Sequence, residues 1–239
     1  MWQAARSLRA DARSLVVVAV VAWATFLVTA VLVAIDPPSR IDHDIQERVA
    51  DLWSSLCDRA PVLRGTSTVA GRLGWTPVEM VVLGVVALVT VARGHKVWPL
   101  LLPLCTYFAV AACVGVLKVT YQRPEPFFWL GRSGRSFPSG HSATTIAVYG
   151  GIALAIVLAG REWWPTHRTA TIVTMVTLVG VVMLAMLLRS AHWVSDIVGG
   201  AALATAWLTT FAAILLHLGW LAGREPAPDG ADRAAHAPG

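Results

Sequence analysis

Two histidines, a capped serine, a lysine and several arginines are gathered into three short segments of this 239-residue chain. The first segment runs Lys118-Val119-Thr120-Tyr121-Gln122-Arg123-Pro124-Glu125-Pro126. The second is Pro138-Ser139-Gly140-His141, and the third is Arg189-Ser190-Ala191-His192-Trp193-Val194-Ser195-Asp196. In the second, proline precedes a serine that can cap a helix, which makes the amides of Gly140, His141 and Ser142 the unpaired donors of a first turn. A helix start of this kind binds phosphate oxygens, and glycine lets the anion approach the backbone closely. His141 titrates in the range that suits proton donation to a leaving oxygen. The same tetrapeptide also reads as an ordinary capped loop with an interfacial histidine.

In the third segment His192 and Asp196 are four residues apart, so on a helix they share a face and the carboxylate can accept from one ring nitrogen. That fixes the tautomer and leaves the other nitrogen free as a nucleophile. A structural pair at the start of a helix is the alternative. What favours chemistry is the combination of both histidines with Lys118 and several arginines.

The elements that position these residues are membrane helices. The composition is 56% hydrophobic and only 14% charged, with a mean hydropathy of +0.63, which excludes an ordinary soluble domain. A bilayer core needs about 20 apolar residues per helical crossing. Six such stretches occur, at about residues 15–35, 77–93, 97–117, 142–159, 169–188 and 196–218. The expected fold is all-α and polytopic, with six transmembrane helices. The first stretch is too long for a signal peptide and is read as an anchor. Residues 42–60 carry Ile45, Val49, Leu52 and Leu56 at helical spacing with acids between them, and predict an external amphipathic helix. The organisation expected is a basic cytoplasmic tail over 1–14, a membrane domain over 15–220 and a disordered cytoplasmic tail over 221–239.

Arg6, Arg9 and Arg13 hold the N-terminus in the cytoplasm, and six crossings return the C-terminus there. All three chemical segments then face outward. The loop over residues 118–141 carries Lys118, Arg123, Arg132 and Arg135 against the single acid Glu125, an excess that the positive-inside rule disfavours on that face. Either the topology is shifted or these cations serve an anion. The net charge of +5 is scattered through short loops and forms no nucleic-acid footprint, and Cys57, Cys105 and Cys113 have no metal-ligand spacing. All but two of the 19 basic residues are arginine, a compositional pointer to a bacterial plasma membrane.

These segments, in this order, resemble the membrane-bound type 2 phosphatidic acid phosphatase (PAP2) superfamily, whose pattern is a lysine, six residues and Arg-Pro, then Pro-Ser-Gly-His, then Ser-Arg, five residues, a histidine, three residues and an aspartate. Pro138 to His141 match completely, and His192 with Asp196 match the end of the third motif, followed by Gly199-Gly200. The arginines depart from the pattern. Glu125-Pro126 stands where the family has Arg-Pro, Arg123-Pro124 comes two residues early, and Ala185-Met186 stands where the family has Ser-Arg.

The resemblance implies hydrolysis of a phosphate from a membrane lipid, of the phosphatidate, phosphatidylglycerol phosphate or polyprenyl phosphate class, with membrane lipids around it and with no metal or other cofactor. It implies His192 as nucleophile, Asp196 as its orienting group and His141 as general acid and base. Lys118, the Ser139 hydroxyl and the Gly140 and His141 amides would hold the phosphoryl oxygens. Arg123 and Arg189, with Arg132 or Arg135, would replace the absent arginines. Glu125 would repel a phosphate, which keeps open a lipid-phosphate-binding protein of the same fold that turns nothing over. A transporter or scaffold is a further alternative, although the helix interiors offer few of the polar groups that transport requires.

Overall fold

The computed structural model describes residues 2–36, 38–126, 135–159 and 167–218, and every regular element among them is helical. Arg132 and the expected tail over 221–239 lie outside the described residues. Helix α1 (Trp2–Ile35) carries the first span from Ala12 onward, so the basic N-terminal stretch is helical and continuous with it. Two shorter helices follow, α2 (Arg40–Arg59) and α3 (Val62–Arg72), then α4 (Thr76–Ala92). Helix α5 (Leu101–Tyr121) is led in by a 3₁₀ turn, Trp98–Leu100. Helix α6 (Gly140–Thr145), a π-turn (Ile146–Gly150) and α7 (Gly151–Leu158) form one span. Helices α8 (Arg168–Leu188) and α9 (Val194–His217) complete the bundle.

Five of these spans are long and apolar enough to cross a bilayer by themselves. The sixth expected crossing, over 77–93, is the 17-residue α4, which reaches the required length only together with α3, at a bend of 62°. The sequence explains the break. A side chain on Gly74 would meet Val182 Cγ1 at 2.5 Å, so the chain passes hard against α8 there, and Pro77 starts a fresh helix where its missing amide costs nothing. The Leu73 carbonyl at the bend accepts from the Tyr149 hydroxyl at 2.6 Å.

Apolar side chains fill both the core and the outer faces of the spans, and the polar groups of the spans turn inward. Val20, Leu88, Phe108 and Val116 are exposed on the spans, while Glu79, Thr90, Thr106 and Asp196 are fully buried, the arrangement expected when lipid is the solvent. Helix α2 follows the same rule. Ile41, Leu52 and Leu56 face outward, and Asp42, Gln46 and Cys57 face the protein. Polar groups, rather than an apolar stripe, therefore dock this helix.

Helix α9 is the central support, packed along α1 and against α5 and α6. Its Gly199 and Gly200 allow that approach. A Cβ on Gly200 would lie 2.4 Å from the Ser139 carbonyl oxygen, and one on Gly199 would lie 2.5 Å from the Phe137 ring. The backbone of the Pro138–His141 segment therefore rests directly on α9. Gly200→Val should destabilise the protein by at least about 1–3 kcal/mol, as overpacking does. Gly65→Ala, where nothing lies within 4 Å, should be neutral or slightly stabilising. Unfolding midpoints in detergent compare the two.

Candidate active site

The three segments identified in the sequence meet at one place. Ser139 caps α6: its hydroxyl accepts from the Ser142 amide at 3.3 Å and from the Ser142 hydroxyl at 3.1 Å. Its own amide donates to the Asp196 backbone carbonyl at 2.9 Å, which ties the start of α6 to the start of α9. Ser139 is fully buried, so its hydroxyl serves the cap and does not face open space. The Gly140 and His141 amides, next along, have no acceptor among the described residues. The Lys118 stem lies beside Gly140, with Cε 4.0 Å from where a Cβ would be, and its ammonium donates to the Arg135 carbonyl.

The rings of His141 and His192 stand with centroids 6.3 Å apart at 56°. Both line a cavity of about 600 Å³ together with Arg72, Trp75, Glu125 and Arg189. The two rings therefore border one space, and the room for a ligand is the cavity that both line. His192 is buried to 6% exposure, and its Nδ1 lies 3.6 Å from Asp196 Oδ2, slightly beyond hydrogen-bond reach. Such pairs are commonly loose in a free site and tighten on substrate. Asp196 is itself fixed, because Oδ2 accepts from the Trp193 amide at 3.0 Å as the reciprocal cap of α9.

The other carboxylate oxygen of Asp196 decides the fate of Arg123. Arg123 is expected from the sequence among the phosphate-binding cations, yet its side chain is buried at 1% exposure. Its Nη1 donates to Asp196 Oδ1 at 2.5 Å and to the Ser195 hydroxyl at 2.7 Å, and its Nη2 donates to Asp42 Oδ2 at 2.7 Å. Asp42 also accepts from the Ser195 amide at 3.0 Å and from the Ser195 hydroxyl at 2.6 Å. Both terminal nitrogens of the guanidinium are thus committed to these partners, only Nε is left without one among the described residues, and the side chain is closed off from open space. Burial alone would raise the pKa of Asp42, but the Ser195 hydroxyl and amide and the Arg123 guanidinium outweigh it and hold the carboxyl below its ordinary value near 3.8. Its contribution to stability is thus complete above that value and is lost only as the pH falls through the lower, folded one.

The cations left facing the cavity are Arg189 and Arg72. Among the described residues neither makes a hydrogen bond or an ion pair through its side chain. Arg189 caps the C-terminal end of α8 beside Met186, and a Cβ on Gly71 of α3 would meet Met186 Cε at 2.7 Å and Arg189 Nη1 at 2.9 Å. Glycine at 71 therefore makes the room in which Arg189 lies, close to the position where the family pattern places its own arginine. Arg135 contributes its carbonyl to Lys118.

Sequence reading missed Arg72, Asp42 and Glu79. Arg72 gave no signal beyond a charge in a polar segment. Asp42 follows Ser39 in a capping pattern, and its amide donates to that hydroxyl at 3.2 Å. Glu79 is an acid inside an apolar run, a signal that by itself marks a position to inspect. It accepts from Thr144 at 3.2 Å and Thr145 at 2.8 Å, which locks α4 onto α6 one turn beyond His141.

Removing Arg123 leaves the buried carboxylates of Asp42 and Asp196 without their counter-charge, so Arg123→Ala should cost about 3–5 kcal/mol. Asp42→Ala, which leaves Arg123 paired with Asp196, should cost less. The double variant should be more stable than the sum of the two losses by about 1 kcal/mol or more. Unfolding of the three variants in detergent measures this coupling, and strict additivity would mean that the pair is not formed.

Comparison with known proteins agrees with this geometry. The PAP2 superfamily model matches residues 99–220, which include all three segments. A search of curated proteins finds no match. Among solved structures the chain is similar to the crystal structure of the first transmembrane PAP2 type phosphatidylglycerolphosphate phosphatase from Bacillus subtilis, at 21% identity and a TM-score of 0.67, covering 84% of this chain and 96% of that one. At that identity the likeness is one of fold, and it extends through the helices that precede the family match. With the family model spanning half of the chain and both histidines in register, this multi-pass membrane protein belongs to the PAP2 superfamily.

Proposed function

We propose that this protein is a metal-independent lipid phosphate phosphatase that works through a phosphohistidine at the extracytoplasmic face of the plasma membrane. The observation that carries this reading is the pair of histidine rings, 6.3 Å apart, on a cavity also lined by Arg72 and Arg189, which have no ion-pair partner among the described residues. Family membership supports a phosphatase in general. The sidedness rests on the N-terminal arginines, with α3 and α4 counted together as one crossing.

In the first step the free ring nitrogen of His192 attacks phosphorus, and the bond from phosphorus to the lipid oxygen breaks as the nitrogen–phosphorus bond forms. His141 gives its proton to the departing alkoxide. In the second step His141 takes a proton from water as that water attacks the phosphohistidine, and inorganic phosphate leaves with His192 restored. Asp196, held by Arg123 and the Trp193 amide, keeps the imidazole oriented and supports the positive charge that it gains. Arg72, Arg189, Lys118 and the Gly140 and His141 amides stabilise the charge that spreads over the phosphoryl oxygens, a preorganised electrostatic role. In this account Ser139 acts through the cap that aims those amides, and Arg123 acts through Asp196.

Phosphatidate, phosphatidylglycerol phosphate and polyprenyl phosphates each place a phosphate at the interface and apolar chains in lipid. The similar structure from Bacillus subtilis is of a phosphatidylglycerolphosphate phosphatase, which is a reason to assay the second of these early. A binding protein without turnover is the rival reading, favoured by Glu125 on the cavity wall.

The two readings separate experimentally. His192→Ala should abolish both turnover and any acid-labile phosphoenzyme. His141→Ala should cost about 10²–10⁴-fold on alkyl phosphates, the usual value of a general acid, while an aryl phosphate with a good leaving group still forms the phosphoenzyme. Arg72→Ala and Arg189→Ala should each cost on the order of 10²-fold in turnover. Phosphate release should withstand excess chelator. Release that stops with chelator and returns with a divalent cation would overturn the mechanism, and binding of lipid phosphates without release would establish the rival.

A further inference from the structure

The proposed reaction leaves one charge in the cavity without a task. Glu125 is partly buried, lines the same space as His141 and His192, and has no hydrogen bond and no ion pair within 4.0 Å among the described residues. Arg72 and Arg189 are unpaired in the same sense. The guanidiniums come from α3 and the C-terminal end of α8, and the carboxylate comes from the segment after α5. Lys118 lies in the field of Glu125, but its ammonium is donated to the Arg135 carbonyl. The cavity therefore holds opposite charges that have not collapsed onto one another.

A purely anionic ligand is poorly served by such a space. The guanidiniums attract it, while the carboxylate repels it and loses water as it enters. A ligand with both signs of charge is served at both ends, because an ammonium that arrives with the phosphate gives Glu125 the partner it lacks. We propose that Glu125 is a specificity-determining residue, selecting lipid phosphate monoesters whose leaving alcohol carries a protonated amine close to the phosphate. The phosphate lies toward Arg72 and Arg189, and the ammonium lies on Glu125. A headgroup with the amine acylated leaves the carboxylate unpaired beside a phosphate, so discrimination comes as much from rejection as from attraction.

This inference rests on the phosphatase reading, and its test keeps the two apart. The full chain in detergent micelles is assayed with 2-aminooctadecyl phosphate and its N-acetyl derivative, which share a chain and a phosphate monoester and differ in the charge of the nitrogen. The expected result is a kcat/KM at least tenfold higher for the amine. Glu125→Gln should lower kcat/KM for the amine at least tenfold and raise it several-fold for the N-acetyl lipid, as repulsion is relieved. Equal wild-type values, or a Glu125→Gln loss that is the same for both lipids, would overturn the proposal and leave Glu125 as a counter-charge to Lys118. The same two lipids are compared as ligands of His192→Ala by equilibrium binding. If no lipid is hydrolysed by the wild-type chain, the phosphatase reading fails. A tenfold binding preference for the amine that Glu125→Gln abolishes still supports the selectivity, and its absence overturns it.

Discussion

A single buried guanidinium organises this site. Arg123, at 1% exposure, joins Asp42 of helix α2 to Asp196 at the start of α9, with Ser195 bonded to both Asp42 and Arg123. A buried charge is costly unless it is paired, and here two carboxylates and a hydroxyl engage Nη1 and Nη2, while Nε has no acceptor among the described residues. The Trp193 ring lies beside it, with the guanidinium carbon 5.7 Å from the ring centroid. Because these partners come from three separate elements, the pair can form only when α2 is docked, α5 has ended and α9 has begun. The carboxylate proposed to orient His192 is thereby placed by the fold before any substrate arrives.

That commitment has a consequence for anion binding. With Arg123 closed off, and with Glu125 and Met186 at the positions where the family pattern has arginine, the cavity takes its positive charge from elsewhere. Arg189 lies over Gly71, and Arg72 is the next residue of the same helix. Helix α3 falls outside the span over 99–220 that the family model matches, so part of the cavity wall comes from outside the matched region. The bend between α3 and α4 is what brings that helix over the histidines. Tyr149 from the π-turn and Glu79 from α4 hold the bend in place. The acid on the remaining wall then makes the cavity bipolar instead of simply cationic.

Much of the frame was legible in the sequence because lipid imposes a length and a polarity on every span. The six apolar runs, the outward α2 and the capped His141 all follow from local pattern. Local pattern could not reveal that α4 is short because α3 completes it, since that depends on Gly74 meeting α8. Helical spacing predicted one shared face for His192 and Asp196, but His192 precedes α9, and the two approach to 3.6 Å across the helix start, where Asp196 Oδ2 accepts from the Trp193 amide. Arg123 was misjudged for a physical reason. A cation beside a candidate phosphate site looks available until the acids that neutralise it are known, and Asp42 lies 81 residues away in sequence. Ser139 shows the same limit: a hydroxyl that can bind an anion or cap a helix is one residue type with two uses, and burial decides between them.

The central claim is that the phosphoryl group sits between His192 and His141, held by Arg72 and Arg189, while Arg123 remains behind Asp196. An experimental structure with orthovanadate tests this most directly, since vanadate adopts the five-coordinate geometry of the transition state. The account predicts vanadium bonded to the free ring nitrogen of His192, an apical oxygen at His141, equatorial oxygens on Arg72, Arg189 and the Gly140 and His141 amides, and the Asp42–Arg123–Asp196 bonds unchanged. Vanadate bound instead by Arg123 withdrawn from its carboxylates, or bound with His192 unattached to the metal, would contradict it.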